Sequence, residues 1–487
     1  MNKNVKIKLN VAAFRDKVFA CWVGKNIGGT MGAPYEGKRE YLDVRGFATA
    51  QGVVLPNDDL DLQLVWLHAV EQLGPLAIDA ATLGEFWLSY IVPHWNEYGL
   101  GKNNMVRGLL PPLSGDYENN WRDSNGAWIR TEVWASMAPG CPELAAKYAI
   151  EDAKVDHGAG EGTFAAAFVA AMQSAAFILP DLRKCIDIGL SKIPADCRVA
   201  DSVRLVMQCF DEGKSSREAR DTILNRNADI GDGWFEAPSN VAYTVLGLLY
   251  GKGDFKRSMI EAINCGDDTD CTAATVGATM GILGGSAAIP ADWSDHIGDD
   301  IVTISINRGS EGRKVPKTCT ELTDRVVAQT PYVLFANHAY VALTDGEEIM
   351  PEDAEQMMRK SISCTAVTPY SMRFEFPYAI AEVALCSAPD IDPMGEKKVT
   401  VKLTHRRQVL DNKPYSLTMR WWLPDGFSVS GRKTAVLTHV TGHSKGECLL
   451  EYTLSAGETI EAVNRCVLEI TAVGRPTPMY IPITLLG

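Results

Sequence analysis

Two short acidic runs hold the densest potential chemistry in this 487-residue chain: Asn57-Asp58-Asp59-Leu60-Asp61 and Asp267-Asp268-Thr269-Asp270-Cys271. Each stands just ahead of a helix-like segment. Pro56 and Asn57 make a good helix start, with Asn57 as N-cap. Asp58, Asp59 and Asp61 then fall in the first turn, where a carboxylate favours the helix dipole without any ligand. The second run makes that simple account harder to hold. The helix it opens, Thr272 to Gly281, is built of Ala, Gly, Thr, Val and Met, and Gly284-Gly285 is its stop. A surface of such small residues packs closely and is buried, and burying several carboxylates at its start is costly unless they are paired or metal-bound. If the two helix starts meet, several oxygen donors converge and require cations. An all-oxygen set suits Mg²⁺, Mn²⁺ or Ca²⁺ rather than zinc. His439 and His443 have an H-x₃-H spacing but no partner set of Cys or carboxylate, and read as exposed strand and turn histidines.

The elements that must position these runs follow from periodicity. Up to about Gly285, apolar residues recur at three- and four-residue spacing in segments such as 64–73, 143–154, 162–178, 198–212 and 268–283. This predicts a large all-α domain, which we place at 1–335. From the acidic stretch Asp345 to Glu355 onward the period changes to two, as in Met372-Arg373-Phe374-Glu375-Phe376 and Lys398 to Leu403. Thr434 to Val440, Cys448 to Leu454 and Met479 to Leu486 also read as strands. A C-terminal all-β sandwich is therefore expected over 336–487. Between the two runs, residues 99–134 are rich in Gly and Asn and read as a long irregular loop. There Arg107, Arg130, Asn125 and the Trp side chains either meet a ligand or merely pack on the surface. Glu36 follows a helix carrying Gly24, Gly28 and Gly32, then Pro34, which puts it on a turn. It is a solvated turn residue or, with cations beside it, a base or proton shuttle. His157-Gly158 precedes the Ala-rich helix from Thr163, where a lone histidine is often only structural.

Lys plus Arg is 47 and Asp plus Glu is 61, a net charge of −14. Such a chain is repelled by duplex nucleic acid and by anionic membranes. No stretch is long and uncharged enough to span a bilayer, and the N-terminus has no apolar signal region. Twelve cysteines without a C-x-x-C pair fit a reducing, cytoplasmic setting rather than a disulfide framework.

In order along the chain stand Gly24-Lys25-Asn26-Ile27-Gly28-Gly29-Thr30-Met31-Gly32-Ala33-Pro34-Tyr35-Glu36-Gly37, the Asn57 cluster, Pro139-Gly140 with Pro142-Glu143-Leu144-Ala145, His157-Gly158, and Gly251-x-Gly253-Asp254-Phe255 with the Asp268 cluster. This ordered set, covering most of 14–285, resembles the ADP-ribosylglycohydrolase family, which includes the enzyme that reactivates ADP-ribosylated dinitrogenase reductase. The resemblance implies an orthogonal all-α fold, a centre of two Mg²⁺ ions (Mn²⁺ being possible) and hydrolysis of the glycosidic bond of a protein-linked or small-molecule ADP-ribosyl group. Carried over by motif, Asp58, Asp59, Asp268 and Asp270 are metal ligands. Asn57 stands where the family has Thr, and Cys271 where it has a hydroxyl residue. Glu36 and Asp61 are the catalytic candidates, Asp61 alternatively a group behind a ligand. His157, Gly158, Arg130 and Asn125 are expected near the substrate. A related glycoside or nucleoside hydrolase, with the β domain recognising sugar, and a non-catalytic metal-stabilised binder are the alternatives.

Overall fold

The computed structural model describes residues 5–231, 235–307, 315–359, 367–406, 414–439 and 446–487. Two compact units result. The first comprises Met1–Gly99 and Asn120–Ala366, the second Leu100–Asn119 and Val367–Gly487. The sequence reading put one boundary at 335/336. The observed division runs later, and the second unit takes in a segment from far upstream.

The first unit is helical, apart from a two-stranded parallel pairing of Ile7–Asn10 with Val341–Thr344. At its centre the Val11–Gly32 helix lies against Thr269–Gly284 so closely that the backbones touch. A Cβ at Gly28 would come within 2.2 Å of the Ala273 carbonyl oxygen, and one at Gly32 within 2.3 Å of that of Thr269. The contacts run in opposite directions along the two helices, so the end of the first meets the start of the second. The helix expected after the Asn57 cluster is Asp58–Leu73, buried over most of its length. Gly285 ends the second-cluster helix at φ 67°, a left-handed backbone that glycine adopts without steric cost.

The second unit is a sandwich of two antiparallel sheets. One is ordered Ser371–Glu375, Ala379–Leu385, Glu396–His405, Glu447–Ser455, Ser428–Gly431; the other Met479–Leu486, Val463–Ala472, Tyr415–Trp422, Thr434–Leu437. Alternating buried residues of both, such as Val401 and Leu450 with Leu468 and Ile483, share one core. The expected strand to Val440 ends at Leu437; Val440 itself, like His443, lies outside the described residues.

The Gly- and Asn-rich stretch is not one loop. Asn96–Val106, Leu113–Asp116 and Glu132–Met137 are helical. Leu109, Leu113 and Tyr117 belong to the sandwich core. The Asn104 amide donates to the carbonyls of Ser114 and Tyr117, closing the turn that the glycines permit. Composition suggested surface there, but few large apolar residues suffice to anchor a segment when its polar groups are satisfied from within.

Candidate metal centre

The close pairing of Val11–Gly32 with Thr269–Gly284 builds the site. Thr269 Oγ1 donates to the Gly32 carbonyl at 2.9 Å. Beyond the helix end, Gly37 N–H donates to Asp267 O at 2.8 Å and Asp267 N–H to Lys38 O. Glu36, exposed on this turn, is thereby held beside the start of the second-cluster helix. Asn57 precedes Asp58–Leu73 with extended backbone, as an N-cap does, but its side chain makes no capping bond. It is 3% exposed, and neither its amide oxygen nor its nitrogen has a hydrogen-bond partner among the described residues. Its room comes from Gly29, where a Cβ would collide with it.

Two of the acidic side chains, one from each run, come together with Cys271. Ligand atoms of Asp59, Asp270 and Cys271 lie within 4.8 Å of one another, all three residues buried. Asp58 accepts from Tyr98 Oη at 3.2 Å, and Asp268 from Asn125 Nδ2 at 2.6 Å. The other oxygen of Asp268 and Oδ1 of Asp270 are buried with no partner among the described residues. Lys25 is the buried cation at hand: its Nζ sits 3.5 Å from Asp59 Oδ2 and 3.2 Å from Glu132 Oε1. Burial works against its charge, but Glu132 and Asp59 hold its pKa above the ordinary value.

Burial and mutual repulsion raise the pKa values of the cluster's carboxyl groups. Burial first, then Asp270, push Asp58 up to about 6. Desolvation, Asp270 and Asp58 bring Glu36 up to about 7. Asp59 and Asp268 are raised well above the carboxylate range by burial, with Asp270 contributing to both. The Cys271 thiol is pushed up by burial and by Asp268 and Asp270. Divalent cations would invert every one of these shifts. The oxygen-rich donor set, with buried acceptors left open, fits hard divalent ions at Asp58, Asp59, Asp268 and Asp270 with the Asn57 amide oxygen beside them.

A family model described as ADP-ribosylglycohydrolase matches residues 10–330. The chain belongs to that family. The family is typically metal-dependent and acts on ADP-ribosylated substrates. Among solved structures, an ADP-ribosylglycohydrolase-related protein complex is 20% identical, covering 67% of this chain and 99% of its own, at a TM-score of 0.43. A FixG-related protein from Vibrio parahaemolyticus is 12% identical over 23% of this chain and 97% of its own, at 0.19. The GAE domain of GGA2p from Saccharomyces cerevisiae is also 12% identical, over 24% of this chain and 96% of its own, at 0.18. No curated protein matches.

Other residues singled out from the glycohydrolase pattern have different surroundings. Arg130 is fully buried. Its guanidinium donates to Asp152, to both oxygens of Asp156 and to the Gly126 carbonyl, and it lies over the Trp87 ring. His157, also fully buried, has Nδ1 2.9 Å from Asp156 and Nε2 3.3 Å from Ser124 Oγ. Gly158 is buried beside it at φ 51°. All three are buried in the interior. Asn125 reaches the site, but through Asp268. Asp61 is fully buried and accepts from the backbone N–H groups of Ile304 and Ser305 at 2.6 and 2.5 Å. Arg107 stacks over Tyr117 in the second unit.

Lys25, Glu132, Tyr98 and Asn240 were not singled out in advance. Asn240 accepts from Asp268 N–H and donates to Asp267. One signal was readable for Lys25, the one charged residue in the stretch Val18 to Met31. For the others the sequence offers none, because their importance lies in which distant residue they meet.

Proposed function

We infer from membership of the family that the chain has glycohydrolase-type activity. We propose that this chain hydrolyses the glycosidic bond of an ADP-ribosyl group, protein-linked or on a small molecule, with two divalent cations bound at Asp58, Asp59, Asp268 and Asp270. The observation that carries this is the meeting of Asp59 and Asp270 with Cys271, together with buried oxygens of Asp268 and Asp270 that have no hydrogen-bond partner among the described residues. Bound there, divalent cations supply electrostatic stabilisation and make a nearby water more acidic.

The remaining roles belong to the chain. Glu36, on the turn that the two central helices hold against the Asp268 cluster, moves a proton to or from the reacting groups. Asn125 holds Asp268 in orientation, as outer partners of metal ligands do. Lys25 favours the charged form of Asp59 against the burial that raises its pKa, and Asp61 anchors the helix behind it. The reading also places the protein in a reducing cytoplasm, where its eleven described cysteines, all free, stay thiols. Among the described residues no helix is long and apolar enough to cross a membrane.

Release of ADP-ribose from modified arginine, serine and nucleic acid, with divalent cation and with chelator, tests the reading. Release from one of them that chelator abolishes is the expected result. Asp270→Ala should lower that release by at least about 100-fold, since loss of a group merely supporting a ligand already costs 10–100-fold. Turnover of a simple glycoside alone would overturn the substrate. Full activity in chelator or in Asp270→Ala would overturn the metal centre.

A further inference from the structure

We propose that the position formed by Asp59, Asp270 and Cys271 is a mixed carboxylate–thiolate cation site, which takes a first-row ion of the Zn²⁺, Co²⁺ or Fe²⁺ class ahead of Mg²⁺. This rests on the metal reading above and assigns one of its two positions. Three observations carry it. The ligand atoms of the three residues lie within 4.8 Å of one another. Asp59 is divided between two neighbours, with Oδ2 facing Lys25 at 3.5 Å and Oδ1 facing Cys271 Sγ at 3.4 Å. The side of Asp59 nearest the thiol is thus not the side that the ammonium neutralises. Finally, Asp270 Oδ1 is buried without a partner among the described residues, as are both amide atoms of Asn57.

Cys271 cannot easily turn away from this position. It lies in the first turn of a helix whose start is pinned, through Thr269 Oγ1, to the Gly32 carbonyl. It is 7% exposed. Other buried cysteines, such as Cys185 and Cys466, lie in apolar helix and strand surfaces and need no ligand. A thiol surrounded by Asp59, Asp268 and Asp270 is different. As a thiol it donates to Asp59 Oδ1 at 3.4 Å; as a thiolate it is a strong ligand for borderline metals and a poor one for Mg²⁺. A hydroxyl at this position would leave the site to hard ions; the sulfur changes which cation is held.

The test uses the full chain, stripped of metal and titrated with Co²⁺, alongside Cys271→Ser. Wild-type protein should show a sulfur-to-cobalt charge-transfer band in the near ultraviolet, and Cys271→Ser should lose it while keeping the visible absorption of bound cobalt. The preference for Zn²⁺ over Mg²⁺, measured by competition, should fall by about tenfold or more in the variant, the floor set by what loss of an outer partner does. Cobalt uptake without the band, or a band that survives Cys271→Ser, overturns the thiolate site and leaves the metal centre standing. Failure of both proteins to take up Co²⁺, Zn²⁺ or Mg²⁺, with folding confirmed by circular dichroism, overturns the metal centre and the inference with it.

Discussion

Around Arg130 the helical unit buries Asp152 and Asp156 and brings their partners with them. Around Asp270 it gathers Asp58, Asp59 and Asp268 against a single ammonium, Lys25, which Glu132 shares. Both clusters are made of charged residues in the same interior. In the first, four guanidinium and indole hydrogen bonds fall on the two carboxylates, and although burial works against it, Arg130 and the neighbouring His157 hold Asp156 down at about 2. In the second, burial drives the carboxylates up and oxygens remain open. A buried ionic cluster whose groups are all met from within the chain is structure. In the cluster around Asp270, oxygens of Asp268 and Asp270 have no hydrogen-bond partner among the described residues. The polar residues near each other in sequence cannot reveal this difference; only their partners do.

The largest effect that sharpens the contrast is expected at Arg130. Arg130→Met should lower the free energy of unfolding by about 3–5 kcal/mol, because it leaves two buried carboxylates without their cation. Urea denaturation of wild type and variant measures it. Asp270→Ala removes a carboxylate from a crowded site, so the metal-free protein should lose little or no stability. If Arg130→Met instead left stability intact and raised only KM, the guanidinium would belong to substrate recognition and the two clusters would not differ in kind.

A smaller effect concerns pH. Asp58 at about 6 and Glu36 at about 7 are raised above their unfolded values. Their contribution to stability is therefore fully present below the unfolded pKa, near 4, and is lost as pH rises through 6 to 7. Metal-free protein should melt at a lower temperature at pH 8 than at pH 5 for this reason. Asp152, also raised to about 6 because burial outweighs Arg130, adds to the same trend in the other cluster. Divalent cation separates them: it should restore stability at pH 8, where the site's carboxylates are ionised, and act weakly at pH 5, where protons compete. Equal stabilisation by cation at both pH values would break the distinction.

How far the sequence could lead depended on whether a residue's role was local. Helix periodicity, the Gly24-Gly28-Gly32 spacing and the two acidic helix starts all express local chemistry, and each of those elements formed. Alternation located the strands at 371–375, 396–405 and 479–486 for the same reason. What escaped depended on distance along the chain. Asn57 stands at the cap position, yet its side chain makes no capping bond and packs against Gly29, which leaves it space. Arg130 looked available in a Gly-rich stretch, but Asp152 and Asp156 lie more than twenty residues further on. Leu109 and Tyr117 belong to a sandwich whose strands begin at residue 371, a connection that no local pattern carries.

Asn125 gives the finest test of the contrast, because it borders both kinds of environment. Its Oδ1 accepts from Trp128 Nε1 at 3.0 Å, an interior bond, while its Nδ2 donates to Asp268. If the second cluster is a cation centre, the amide orients a ligand oxygen and fixes which one is offered. Asn125→Ala should then weaken divalent-ion affinity by about 10-fold, with activity recovered at saturating cation. A residue that touched substrate directly would behave otherwise: KM would rise and stay raised however much metal was added. Calorimetric titration with cation, paired with kinetics at two cation concentrations, separates the outcomes. The first would extend the unsatisfied cluster outward by one layer. The second would place the substrate, rather than metal, on the open side of Asp268.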